Sequence, residues 1–232
     1  MGLFGSGTAE AEELAKLDEK MLLKLSEAVE NKAISRQVSL MENEVLSKMS
    51  SNLLSSPDYV TDVKIAVDEL LLLMVRFVAS RQNAQADRKP YLFKSDASEN
   101  DLHEDLFDFL YSSLGSRVEM ETPSIGGGRV DIRAKYSTFS IYMELKLDGT
   151  KKALADKLAF VNQSVTYQAT DARVGFLVAL RTNASPSTGA HPHLVSLFEH
   201  TTVTVPGDAF ARHVVLIDVP GNRTSPSDKR SV

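Results

Sequence analysis

An α/β or α+β domain preceded by a helical region is the fold class this sequence predicts, and three observations carry it. Apolar residues between positions 9 and 89 recur at intervals of three and four, the period of a helix with one buried face. After residue 98 the interval shortens to two, the period of a strand. Residues 173–180 (RVGFLVAL) then form a near-continuous apolar run, as expected of a strand covered on both faces. The expected organisation is a helical N-terminal region over 1–89, a linker from Arg88-Lys89-Pro90 to Ser98, and an α/β domain over 98–232.

In the N-terminal region, Leu14, Leu17, Met21, Leu25 and Ala28 make one stripe, and Ile34, Val38, Met41, Val45 and Met49 another. Ser55-Ser56-Pro57-Asp58 interrupts the pattern. A third helix is expected to start at Pro57 or Asp58 and to run through Val63, Val67, Leu70, Leu71, Met74 and Val78. Such stripes need covering, so these helices predict a small bundle or an assembly element, binding a second copy or a partner protein.

In the second region, Ser98 with Asp101 three residues on predicts a helix start, and Gly115 after Leu114 predicts its stop. Strands are expected over 117–121, 129–135 and 139–147, followed by a helix over 151–168 with Leu154, Leu158, Val161 and Val165 on its inner face. The apolar strand 173–180, a loop over 183–192, a short helix over 194–199 and a last strand over 213–219 complete the α-β-β-β-α-β-α-β order.

Composition narrows the function. The 232 residues contain no cysteine, which removes disulfides, thiolate metal sites and cysteine nucleophiles, and is compatible with the expected cytoplasmic residence. The most apolar run, Leu70 to Val75, is far too short to span a bilayer, so no membrane partner is expected. Met1-Gly2-Leu3-Phe4-Gly5-Ser6 fits the short N-myristoylation pattern, but the preferred reading is a glycine-rich start. The overall charge of −5 does not announce a nucleic-acid binder. Locally the balance differs: residues 129–181 carry nine Lys or Arg against five acids, while 99–128 carry one against seven.

Chemistry concentrates in two strands. Tyr142, Glu144 and Lys146 share one face of their strand, opposite Ile141, Met143, Leu145 and Leu147. A Glu and a Lys in so apolar a strand are costly unless they face a cleft or each other. Arg129, Asp131 and Arg133 likewise alternate with Val130 and Ile132. Antiparallel pairing of the two strands can bring Asp131 beside Glu144. Two carboxylates and an ammonium would then converge, an arrangement suited to a hard divalent cation with positions left for water and phosphate. The plainer alternative is an ordinary cross-strand charge set.

GGGRVDI (126–132), YMELKLD (142–148) and NQSVTYQ (162–168), in that order behind a helix bearing glutamates, resemble the PD-(D/E)XK nuclease superfamily, the restriction-endonuclease-like fold. The likeness covers roughly residues 98 to 181, and Val130 stands where the naming proline would be. It implies a core of mixed sheet flanked by helices. It further implies that Asp131, Glu144 and the Leu145 carbonyl bind Mg²⁺ or Mn²⁺, and that Lys146 activates the attacking water. Gln163 and Tyr167 match the Gln-x-x-x-Tyr feature of the RecB-like and lambda-exonuclease-like branches, where it supports the site and its contact with DNA. For the helix acid, Glu99 falls on the inward face set by Leu102, Leu106, Phe109 and Leu110, and Glu104 falls opposite. Glu99 is therefore the choice. Lys151, Lys152 and Arg133 are candidate nucleic-acid contacts. His103, near the edge of the inward face, reads as packed rather than metal-bound; His191 and His193 make a weak zinc pair. The implied function is a Mg²⁺- or Mn²⁺-dependent nuclease acting on nucleic acid, foremost a DNA endonuclease of bacterial or phage defence, restriction or repair. The alternatives are a silent nucleic-acid-binding module or an assembly module on the same fold.

Overall fold

The computed structural model describes residues 38–123, 129–166, 168, 172–183 and 192–223. The chain divides into two units, Met1–Asn43 and Glu44–Val232, and the sheet with its covering helices makes up the second. The first helical stripe (14 to 28) lies outside the described residues.

The N-terminal helices are α1 (Leu40–Leu53), α2 (Pro57–Thr61) and α3 (Lys64–Gln82). Ser56 caps α2, its hydroxyl accepting the Tyr59 amide, with Pro57 at the first helical position. The single helix expected from residue 57 to 78 is two. The amides of Asp62 and Val63 both turn back to the Asp58 carbonyl, and the chain re-enters a helix only after Val63 is buried.

Helix α4 (Glu99–Leu114) begins at a reciprocal cap. The Ser98 hydroxyl accepts the Asp101 amide at 3.2 Å, and Asp101 Oδ2 accepts the Ser98 amide at 2.7 Å. It stops at Gly115, whose φ of 58° is open to glycine and strained for other residues. Six strands follow: β1 (Val118–Pro123), β2 (Arg129–Lys135), β3 (Ser140–Asp148), β4 (Val174–Arg181), β5 (Phe198–Val203) and β6 (Arg212–Pro220). Helix α5 (Leu158–Thr166) lies between β3 and β4 in the chain.

The strands form one mixed sheet in the order β1-β2-β3-β4-β6-β5. β1, β2 and β3 are antiparallel neighbours, β3, β4 and β6 run parallel, and β5 returns antiparallel on the far edge. Both faces are covered. Ile132, Met143, Leu145, Phe176, Val178, Val215 and Ile217 pack with α1 to α4 on one face. Leu177, Ala179, Val214 and Leu216 pack under Val161 and Val165 of α5 on the other. The central strand β4 is buried almost throughout, as its apolar run predicts.

Three expectations change. The boundary expected at residues 90–98 is absent, because the apolar faces of α1 and α3 are buried in the same core as the sheet. Val45, Met49 and Leu53 of α1 and the inward face of α3 are thus covered from within, while Met41 of the α1 stripe is 44% exposed. The helix expected over 151–168 is only α5, preceded by a loop with one 3₁₀ turn (Leu154–Asp156); Leu158, expected inside, is 68% exposed. The helix expected over 194–199 is a single 3₁₀ turn (Leu194–Leu197) that opens into β5. The Lys48 ammonium binds the carbonyls of Val195 and Phe198 at 3.2 and 2.7 Å, satisfying acceptors a longer helix would have used. Among the described residues no helix is long and apolar enough to cross a membrane.

Candidate active site

The ladder between β2 and β3 runs from Lys135↔Ser140 to Ile132↔Met143. Continuing that register sets Asp131 opposite Glu144. Beyond it the amides of β3 that would face β2 are taken by acidic side chains. The Leu145 amide donates to Asp131 Oδ2 at 2.7 Å, and the Leu147 amide donates to Glu99 Oε2 at 3.1 Å. Glu99 reaches β3 because it occupies the first turn of α4, which packs on β1 and β3.

Glu144 and Lys146 are one pleat apart on the face of β3 covered by α5, beside Leu177 and Ala179 of β4. Lys146 Nζ lies 2.6 Å from Glu144 Oε1. Glu144 is only 1% exposed, and its second oxygen, Oε2, is buried without a hydrogen-bond partner. Burial pushes its carboxyl up to about 7; the Lys146 bond works against that, and the charges of Asp131 and Glu99 reinforce it. Burial pulls on Lys146 in the opposite sense, but contact with Glu144 outweighs it and keeps the ammonium above its ordinary value. One oxygen of each acid is thus committed to the protein: Asp131 and Glu99 to backbone amides, Glu144 to Lys146. An unpaired carboxylate oxygen at this depth is costly unless a cation meets it.

A hard divalent cation fits this donor set. Asp131 and Glu144, with the Leu145 carbonyl, would supply oxygen ligands, and water and phosphate would take the remaining positions. Among the described residues no group of three or more His, Asp or Glu side chains forms a metal-binding cluster.

The remaining candidates fall elsewhere. Glu104 is exposed and accepts from Asn100 at 2.8 Å. Arg133 bonds Ser140 Oγ of β3 at 2.9 Å and lies 3.8 Å from Glu119 of β1. Lys151 and Lys152 are exposed in the loop after β3, and Gln163 is exposed on α5. Tyr167 and His191 lie outside the described residues; His193 is exposed.

Three further groups lie near the site: His103, packed as the sequence reading expects, and two acids to which that reading gave no role. His103 is buried, and its Nε2 lies 2.9 Å from the Asp131 carbonyl. A carbonyl only accepts, so Nε2 carries the proton and α4 grips β2 at the residue that turns into the site. Asp148, at the end of β3, is 1% exposed and is bonded by Lys157, Arg181 and the Thr150 amide. Asp218 of β6 stands on the same face as Lys146, with only Ala179 between their strands. Its Oδ1 is 3.7 Å from Arg181 Nε without a hydrogen bond, and burial raises its carboxyl to about 6, with Arg181 opposing. The available signal was an acid ending an apolar strand in both cases, LKLD and LID.

Comparison of the chain with protein-family models, curated proteins and solved structures finds no match.

Proposed function

We propose that this chain is a metal-dependent nuclease with a restriction-endonuclease-like core, hydrolysing phosphodiester bonds with Mg²⁺ or Mn²⁺, and that its substrate is DNA cut internally. The observation that carries the reading is the meeting of Glu99, Asp131, Glu144 and Lys146 at the point where β2 parts from β3. There a buried carboxylate oxygen of Glu144 has no donor, and an ammonium stands 2.6 Å from its neighbour oxygen. A purely structural ion pair has no need of that oxygen or of two further acids beside it.

When bound, the divalent cation would polarise a phosphate oxygen and acidify a coordinated water. Asp131 and Glu144 hold the cation's side of the site. The Leu145 and Leu147 amides hold Asp131 and Glu99 in fixed orientations, so no reorganisation is needed as charge develops. Lys146 presents a protonated amine where negative charge gathers on the phosphorane oxygens, and it orients the attacking water toward phosphorus. A setting in bacterial or phage defence, restriction or repair follows from the superfamily likeness alone.

The test is incubation of the purified chain with supercoiled plasmid, linear duplex and single-stranded DNA in Mg²⁺, Mn²⁺ or EDTA, beside Lys146→Ala. Metal-dependent cleavage lost in the variant supports the reading. Equal cleavage by Lys146→Ala refutes the mechanism, and no cleavage of any substrate favours the silent binding module.

A further inference from the structure

The loop that leaves β3 is held far more firmly than a strand-to-helix connection requires. Asp148 is buried at its start, and its Oδ1 takes the Thr150 amide at 2.9 Å and the Lys157 ammonium from the loop's far end. Its Oδ2 takes Nη1 of Arg181. The other arm of that guanidinium, Nη2, donates to the Lys152 carbonyl in the middle of the loop at 2.7 Å. The Asp148 carbonyl is itself tied to the Thr182 amide at 2.9 Å. Burying one acid among two cations costs several kcal/mol in desolvation, returned only when the geometry is good. A glycine-rich turn would have joined the elements at no such cost.

What this latch presents is two adjacent cations. Lys151 and Lys152 are exposed, and no acidic partner meets them among the described residues. Asp148 pairs across the strands with Arg181, one pleat beyond Lys146 and Ala179 and on the same face of the sheet. That puts the latch about 7 Å along β3 from Lys146. Lys157 and Arg181 are spent on Asp148, so the free positive charge of the loop is that of the two lysines.

We propose that Asp148 and Arg181 are positioning residues. They hold the loop over residues 149–157 as a clamp for backbone phosphate, through which Lys151 and Lys152 grip a phosphodiester beside the one at Lys146. This rests on the nuclease reading and adds to it the part of the site that grips the substrate's backbone.

The experiment measures binding of a short duplex oligonucleotide in EDTA, where no cleavage intervenes, over a range of salt. Each phosphate contact on duplex DNA contributes about 0.9 to the slope of log affinity against log salt. Lys151→Ala/Lys152→Ala should therefore lower the slope by about 1.8, equivalent to roughly 60-fold in affinity between 1 M and 0.1 M salt. Arg181→Lys keeps a cation on Asp148 but has no second arm for the Lys152 carbonyl. It should lower the slope by at least half as much in the wild-type background and have no effect in the Lys151→Ala/Lys152→Ala background. Equal effects of Arg181→Lys in both backgrounds overturn the latch and leave the nuclease reading standing. A wild-type slope in Lys151→Ala/Lys152→Ala, whose surface changes do not threaten folding, overturns the clamp. Absence of binding by the wild-type chain to duplex and single strand alike overturns both.

Discussion

Glu144→Gln should make the metal-free protein more stable while removing its activity. Lifting the Glu144 carboxyl from 4.5 to about 7 means that its ionised form costs about 3 kcal/mol more in the fold than in the open chain, at 1.36 kcal/mol per tenfold. A neutral amide of the same shape escapes that cost. The attraction of Lys146 is already counted in that net figure, because its bond to Glu144 works against the rise. The expected gain is therefore about 3 kcal/mol at pH 8, or about 6–12 °C in melting temperature for a unit of this size. The pH dependence has a definite sign. A carboxyl raised in the fold costs the wild type stability as pH climbs from its open-chain value of 4.5 through 7. The advantage of Glu144→Gln should accordingly be complete above 7, shrink between 7 and 4.5, and vanish below. Thermal melts in EDTA across pH 4–8 measure it. Addition of ~10 mM Mg²⁺ or Mn²⁺ should then raise the wild type and leave the variant unmoved, by mass action on the folded state. A variant that melts below wild type at pH 8, or a difference flat in pH, would show that the buried charge is not the cost assigned to it.

Two further expectations are independent of that one. Glu99→Gln should lower cleavage 10–100-fold, roughly the range for a group that orients a metal site. Glu104→Gln, whose carboxylate meets only Asn100 in solvent, should cleave and melt as wild type; the reverse pattern would move the site to the other face of α4. Asp105 is buried in α4 and takes Nε of Arg81 at 2.8 Å, Nη2 at 2.6 Å, the Tyr91 hydroxyl at 2.6 Å and the Lys89 ammonium. Asp105→Asn should cost about 3–5 kcal/mol in denaturant unfolding at pH 7. Burial works to raise the Asp105 carboxyl, but Arg81, Lys89 and Tyr91 hold it below its ordinary 3.8. The stability it lends is therefore intact above 3.8 and lost as pH falls through the lowered value, so wild type and variant should converge in strong acid.

Periodicity carried the sequence reading where one face of one element was at stake. The phase of α4 put Glu99 inward and Glu104 outward, and the alternation in β2 and β3 put Asp131 in line with Glu144. It failed where a distant group decided the outcome. A stripe on α1 or α3 tells that something apolar covers it, not that the cover is the sheet more than a hundred residues on. Leu158 fits the spacing of the α5 stripe and opens that helix, yet at the helix end it is left 68% exposed. β5 is short and follows an apolar Leu-Val-Ser-Leu-Phe run that reads as helix, and the Lys48 contacts that end the turn come from α1. His103, Asp148 and Asp218 gain their roles from partners on other strands or helices, which no local window contains.

The sealing of β3 by acidic side chains has a practical consequence for anyone dissecting this site. The amides of Leu145 and Leu147 are, in effect, a short stretch of open sheet edge inside the molecule, closed only by the carboxylates of Asp131 and Glu99. Trimming either acid to alanine deletes a charge and also unseals that edge, inviting strand slippage or pairing with another chain. Loss of function in such a truncation would mix two causes. Asn at 131 and Gln at 99 keep an acceptor oxygen for the amide while discarding the charge, so only the amide replacements separate chemistry from strand registry.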